Sequence, residues 1–189
     1  MADAGRVIAG TARSIRLDAP GPGTRPFGDR VKQTLFAILE PELPGARFLD
    51  LFAGSGAAGI EALSRGAAEA TFVERDRAAI AVIEGNLART HLRDRGRIIR
   101  ADALAWLGEP TRAQDPPWQI AVVDPPYAET AALAAALEAV GPYVVPGGRV
   151  IAKHFWRDAP PARIGLLASE RERRFGETSL TFYRRVEDR

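Results

Sequence analysis

The sequence predicts an α/β fold, a mostly parallel sheet with an antiparallel C-terminal strand pair, preceded by a small N-terminal β-hairpin arm. Three observations carry that expectation. Short apolar runs alternate with amphipathic or Ala-rich stretches from Phe48 to Lys153, the pattern of right-handed βαβ crossovers. A glycine turn, Gly54-x-Gly56-x-x-Gly59, follows the first of these runs and opens a helical one. Beyond residue 160 the apolar runs recur with no long helix between them, so those strands should pair antiparallel.

The elements follow in order. Arg6-Val7-Ile8-Ala9-Gly10 and Ser14-Ile15-Arg16-Leu17 read as two short strands around a bend, with Ala19-Pro20-Gly21-Pro22-Gly23 as the turn after them. Residues 1–27 therefore read as a hairpin arm and 28–189 as the main domain. Asp29 can cap a helix to about residue 40, with Val31, Leu35, Ile38 and Leu39 on one face and Pro41 stopping it. Phe48-Leu49-Asp50-Leu51-Phe52 is the first strand of the main sheet, followed by a helix from 56 to about 65 that Gly66 stops. Ala70-Thr71-Phe72-Val73 is the second strand and 76 to about 90 the second helix. Gly96-Arg97-Ile98-Ile99 is the third strand, with Asp102 at its end and a short helix through Trp106. Ile120-Ala121-Val122-Val123 is the fourth, 130–140 a helix, and 149–153 the fifth strand after a Pro-Gly-Gly turn. Residues 164–167 and 180–183 supply the antiparallel pair.

Composition narrows the function. The chain of 189 residues is 46% hydrophobic, enough for a real core, yet no apolar run approaches the ~20 residues of a membrane span. No basic-then-apolar leader opens it, so a soluble, cytoplasmic protein is expected, and a monomer. With no Cys, and only His91 and His154 far apart, disulfides, thiolate nucleophiles and a metal site are not expected. The net charge is +2 and the pI about 9.4, the basic residues being Arg except for Lys32 and Lys153. Arg6, Arg13, Arg16, Arg25 and Arg30 gather near the N-terminus, a bias that suits phosphate contacts with a nucleic acid. His91 reads as solvated surface, and Trp106 and Trp118 as packing.

The chemistry concentrates at strand ends. Asp124-Pro125-Pro126-Tyr127 puts a carboxylate, a rigid carbonyl and an aromatic face directly behind a buried strand, where open α/β folds build sites. The prolines fix φ and remove two donors, so the turn presents acceptors. An exocyclic NH2 offers two donors, which Asp124 and the Pro125 carbonyl could accept while Tyr127 stacks on the base. The bland alternative is a Pro-rich turn whose Asp caps the next helix. Upstream, Gly54-x-Gly56-x-x-Gly59 with Glu74 twenty residues past Gly54 also satisfies the dinucleotide fingerprint, which supports an NAD-linked oxidoreductase. Against that reading, Asp50 inside the strand end would repel a pyrophosphate, and Asp50, Glu74, Asp102 and Asp124 form a series of acidic strand ends.

That series resembles the class I methyltransferases, Rossmann-like enzymes that use S-adenosylmethionine, a ligand without phosphate. The resemblance implies that the loop Ala53-Gly54-Ser55-Gly56 approaches the ligand and that Asp50 lies near its methionine end. It also implies that Glu74, with Arg75 beside it, takes the ribose hydroxyls and that Asp102 and Ala103 read the adenine. Phe52-Ala53-Gly54-Ser55-Gly56 with Asp124-Pro125-Pro126-Tyr127 resembles the amino-methyltransferases of exocyclic base nitrogens. Arg6-Val7-Ile8-Ala9-Gly10, Thr24-Arg25-Pro26, Asp29-Arg30-Val31, residues 61–67 and the terminal run 175–183 look like the bacterial small-subunit ribosomal RNA guanine-N2 methyltransferases, the RsmD type. The resemblance implies methyl transfer to guanine N2 in 16S ribosomal RNA, naked or in an assembling small subunit, with a DNA adenine or cytosine enzyme as the alternative. Ser14-Ile15 stands where the family usually has Gly-Arg, Phe27 where a Thr is common, and Lys153-His154 where an acidic residue is frequent.

Overall fold

The computed structural model of the protein describes residues 2–21, 27–127 and 129–187. The chain divides into two compact units, Met1–Ala101 and Asp102–Arg189. Among the described residues no helix is long and apolar enough to cross a membrane.

In the first unit, β1 (Ala2–Arg6) and β2 (Arg16–Ala19) pair antiparallel as the hairpin. Both strands lie farther from the bend than the apolar runs suggest. The reason is where the intervening amides go: Ile8 and Ala9 donate to the Glu61 carboxylate at 2.8 and 3.1 Å, and Ala12 to Ser64 Oγ at 2.9 Å. Side chains of a helix satisfy this backbone instead of a ladder. Gly10, at φ +85, sits so close that a Cβ would meet the Ser64 carbonyl oxygen at 1.8 Å. The hairpin is thus fastened to its own unit, with Glu61 and Ser64 both buried.

After α1 (Asp29–Leu39), the strands β3 (Arg47–Leu51), β4 (Glu69–Glu74) and β5 (Gly96–Arg100) form two parallel ladders. Phe48, Leu49 and Leu51 are all fully buried, as expected of a strand covered on both faces. The crossover helix α2 (Ala57–Ser64) is buried all round, whereas α3 (Arg77–Arg89) buries one stripe of Ala79, Ile83, Asn86 and Leu87. Asn86 is the polar member of that stripe, and its amide has clear employment. It exchanges hydrogen bonds with the Asp18 backbone at 2.9 Å each way and donates to the Ser55 carbonyl at 3.0 Å. One side chain so ties the hairpin to the loop after β3.

The second unit contains α4 (Ala103–Leu107), β6 (Trp118–Val123), α5 (Thr130–Val140) and β7 (Val144–Phe155), with β6 and β7 parallel. Instead of beginning after the Pro-Gly-Gly run, β7 passes through it, and its register against β6 shifts there. A Cβ on Gly148 would meet the Gln119 carbonyl at 2.9 Å, so glycine permits this irregular close approach. Next come β8 (Arg163–Ile164), β9 (Leu167–Phe175) and β10 (Thr178–Arg185), with β10 antiparallel to both β7 and β9, and β8 antiparallel to β9. The strand anticipated over 164–167 is in fact the tight β8–β9 turn, with Gly165 at φ +51. The real strand is β9, whose Glu170-Arg171-Glu172-Arg173-Arg174 run hides any apolar period because most of it is exposed. Trp106 and Trp118 pack in this unit, 2% and 1% exposed, with ring centroids 5.8 Å apart.

Candidate functional site

Within the first unit, the turn from β3 into α2 is backbone forced into an uncommon shape. Phe52, Gly54 and Gly56 have φ of 62°, 56° and 75°. A phenylalanine there is a strained choice, of the kind that clusters at ligand sites. At Gly54 a Cβ would meet only the Phe52 carbonyl, at 4.0 Å, so there is open space over the turn. Gly59 is different, since a Cβ would lie 2.3 Å from Phe72 Cε1; that glycine lets α2 press onto β4.

The acidic strand ends of this unit hold the turn in place. Asp50 is 2% exposed, and its Oδ2 accepts the Gly59 amide at 2.9 Å. Glu74 accepts the Gly54 amide on one oxygen at 2.9 Å and the Asp76 amide on the other at 2.8 Å. Each carboxylate oxygen has a second lone pair, so Glu74 can receive two further donors such as vicinal hydroxyls. Ala53 and Ser55 are nearly buried and present the turn through its backbone, while Arg75 is exposed. In the second unit Asp102 caps α4, accepting from Leu104 and Ala105 at 3.1 and 3.0 Å, with Ala103 buried behind it.

At the end of β6, in the same second unit, Asp124 begins the Pro-Pro-Tyr turn. Its two oxygens receive Lys153 Nζ from β7 at 3.0 and 2.8 Å, and the side chains of Asp124 and Lys153 are 16% and 5% exposed. Burial pushes the Asp124 carboxyl above its ordinary value, and the charge and hydrogen bond of Lys153 pull against that rise. Lys153 Nζ also stands 5.6 Å from the Tyr127 ring centroid. The Tyr127 hydroxyl shares a 2.6 Å hydrogen bond with Thr178 Oγ1, which fixes the ring, and its face tilts at 51° against Phe155, 6.3 Å away. The Pro126 carbonyl accepts the Glu129 amide at 2.8 Å, closing the turn. Pro125, Pro126, Tyr127, Leu133, Lys153 and Phe155 are among the residues lining a shallow, solvent-open pocket. The Pro-Pro-Tyr turn and its anchored aromatic face thus form part of the pocket wall together with Lys153, the residue that holds the Asp124 carboxylate.

Of the basic residues singled out near the N-terminus, Arg6 and Arg16 are partners across the β1–β2 ladder. Arg6 is 3.3 Å from Asp29 and Arg16 3.1 Å from Asp3, both as exposed pairs, and Arg13 and Arg30 are exposed. Arg25, with Thr24 and Pro26, lies outside the described residues. Sequence reasoning noticed Lys153 only as a departure and assigned nothing to Thr178 or Phe155. The signal for Lys153 was its place: a lysine ending an apolar strand beside a strand that ends in aspartate needs a buried counter-charge.

The comparisons agree with this architecture. The family described as Conserved hypothetical protein 95 matches residues 5–184. YlbH of Bacillus subtilis, named for rRNA methyltransferase activity, is 36% identical over 183 residues, 95% of this chain and 98% of its own. The Ribosomal RNA small subunit methyltransferase D of Escherichia coli is 44% identical over 123 residues, 65% of this chain, and that match takes in 60% of the relative's length. Among solved structures, the yhhF protein of Escherichia coli, described as a methyltransferase, superposes with a TM-score of 0.82 at 33% identity, covering 97% of this chain and 98% of its own. A hypothetical protein of Thermus thermophilus gives 0.80 at 36% identity, covering 97% and 99%. The chain therefore belongs to the Conserved hypothetical protein 95 family, the RsmD family, and has its Rossmann-like class I methyltransferase fold.

Proposed function

We propose that the protein transfers a methyl group from S-adenosylmethionine to the exocyclic N2 of a guanine in small-subunit ribosomal RNA, acting as a cytoplasmic monomer on naked RNA or an assembling subunit. The observation that carries the reading is the Asp124 carboxylate, held by Lys153 at the head of a Pro125-Pro126-Tyr127 turn that lines an open pocket, in a chain similar along nearly its whole length to a protein named as an rRNA methyltransferase. Bound S-adenosylmethionine would supply the methyl group as an activated sulfonium substituent. The strained turn with space over Gly54, and a Glu74 with acceptor capacity to spare, suit a ligand that carries an amino acid and vicinal hydroxyls but no phosphate. Asp50 shapes that turn through Gly59 and lies toward the methionine end, while Ser55 and Gly56 continue the cradle, Arg75 flanks the ribose acid, and Asp102 with Ala103 serves the adenine.

On the acceptor side, an aromatic NH2 is a poor nucleophile because its lone pair is delocalised into the ring. Asp124 and the Pro125 carbonyl would accept its two hydrogens, favouring a pyramidal nitrogen whose lone pair is aimed for transfer. Lys153 occupies one acceptor position on each Asp124 oxygen, and a carboxylate has about four, so capacity for the amine remains. After transfer the nitrogen carries a surplus proton, which Asp124 is placed to receive. Tyr127, immobilised by Thr178, would stack on the base with a contribution of ~1–3 kcal/mol. Arg6, Arg13, Arg16, Arg25 and Arg30 would contact RNA phosphates.

The test is transfer of labelled methyl from S-adenosylmethionine to hypomethylated small subunits and their deproteinised RNA, followed by nucleoside digestion. Label in N2-methylguanosine is the expected product, and Asp124→Ala should abolish it while S-adenosylmethionine still binds. Near-normal turnover by that variant would overturn the mechanism; label in another nucleoside would overturn the base assignment.

A further inference from the structure

Trp156 lies just past β7 in the second unit and belongs to neither function assigned above. It is half-buried, and two guanidiniums pack against its ring: Arg174 from β9, 3.7 Å from the centroid, and Arg157, 4.8 Å away. Its ring also contacts Phe155 at 6.2 Å, and Phe155 in turn contacts Tyr127 at 6.3 Å. An aromatic row therefore leads from the catalytic pocket, which Phe155 lines, out to a tryptophan carrying two arginines. The main chain fixes this arrangement, the Trp156 amide donating to the Glu177 carbonyl at 3.0 Å. Arg174 is held as well, its Nε donating to the Gly176 carbonyl at 2.8 Å.

Both arginines are exposed while lying over the ring. A stacked guanidinium keeps its outer plane for a base and its edge for a phosphate. Arg171 and Arg173, also exposed, alternate onto the other face of β9, so the patch at Trp156 is made by Arg157 and Arg174, and Glu170 is already paired with Arg149 and Arg184. Glu172 shares the face of β9 that carries Arg174, and Asp158 follows Arg157 and lines the pocket, so the patch suits one or two phosphates rather than a long polyanionic track.

We propose that Trp156, Arg157 and Arg174 form a clamp for the unpaired RNA nucleotides flanking the target base, gripping their phosphates through the guanidinium edges and stacking a base on an arginine plane. The clamp lies two aromatic steps from Tyr127, within reach of neighbouring nucleotides rather than the modified one. Unpaired bases are commonly recognised on aromatic rings and arginine planes, and phosphate contacts make such binding salt-dependent. This deepens the proposed function, and rests on RNA being the substrate.

The experiment compares the full-length wild type with Trp156→Ala, Trp156→Phe and Arg174→Ala. It measures steady-state methylation of hypomethylated small subunits and of their deproteinised RNA, direct binding of that RNA across a salt series, S-adenosylmethionine binding and thermal stability. Trp156→Ala should raise KM for RNA roughly tenfold with little change in kcat. Arg174→Ala should lower the slope of log K against log salt by about one. Trp156→Phe should restore most of the affinity, and S-adenosylmethionine binding should be unchanged. Unaltered RNA affinity and salt slope in the Trp156→Ala and Arg174→Ala proteins would overturn the clamp while leaving the methyltransferase reading intact. RNA binding that depends on Trp156, with no methyl transfer by the wild type to either the subunits or their RNA, would support the clamp and overturn the activity. A defect confined to assembled subunits would assign the surface to a ribosomal protein and also overturn the clamp. So would a loss of stability in Trp156→Ala with RNA affinity preserved.

Discussion

Replacing Lys153 with Met removes the charge and keeps most of the volume of a side chain that sits beside Asp124 with only 5% of its surface exposed. A carboxylate shut away from water and stripped of its cation is an uncompensated buried charge, which typically costs ~3–5 kcal/mol. Protonation relieves that cost, and the direction of the pH dependence comes from this relief. In the wild type, burial already raises the Asp124 pKa, with Lys153 opposing the rise. In the variant the opposition is gone, so the folded pKa climbs further above the unfolded value. A raised folded pKa means that the contribution to stability is fully present at acidic pH and lost as pH rises through that folded pKa. Lys153→Met should therefore be destabilised by several kcal/mol at neutral pH, and by much less near pH 4. The acidic limb of its methylation profile should move to higher pH. Urea unfolding from pH 4 to 8 and a pH–kcat profile make the assay. A second variant separates charge from packing, because adding Asp124→Asn removes the buried anion and should recover most of the loss at neutral pH. A destabilisation that is the same at every pH, or that the second change does not relieve, would refute the electrostatic argument.

Other consequences are as direct. Gly59→Ala should cost ~1–3 kcal/mol in urea unfolding through overpacking against Phe72, and a Phe72→Leu background should soften the loss. Glu61→Gln removes a buried charge that accepts the Ile8 and Ala9 amides and the Arg65 guanidinium; ~3–5 kcal/mol should be lost, with faster hydrogen exchange at Ile8 and Ala9. Tyr183, fully buried with its hydroxyl donating to the Pro161 carbonyl at 2.8 Å, has its pKa pushed up to about 12 by burial, with Glu172 adding to the shift. Because the folded pKa is raised, its contribution of ~3 kcal/mol should be complete below pH 10 and vanish between pH 10 and about 12, a loss that Tyr183→Phe should abolish in alkaline unfolding.

The parts of this molecule that were legible in its sequence are those whose physical cause is local. The apolar run 120–123 ending in Asp124 becomes β6 and its turn because a strand covered on both faces must be apolar throughout, and the two prolines then dictate the path of the turn. Gly54 and Gly56 announce left-handed backbone because other residues pay a steric penalty there, yet Phe52 adopts φ of 62° with no such signal in its residue type. Partnerships across sequence were harder to see. Glu61 looks like an ordinary helix acid until the amides of Ile8 and Ala9 arrive 52 to 53 residues away, and Lys153 looks like an anomaly until β7 lies beside β6. The C-terminal strand β9 was missed for a related reason. Its alternating charges carry no apolar period, so its conformation is set by the β10 ladder, and the ladder is what brings Arg174 over Trp156. A sequence pattern records what each residue does with water, while the chemistry of this second unit depends on which residues the strands set side by side. The Lys153 partnership with Asp124 is the clearest case. The lysine that looks out of place in an apolar strand is the one whose charge and hydrogen bond oppose the rise that burial imposes on the Asp124 carboxyl.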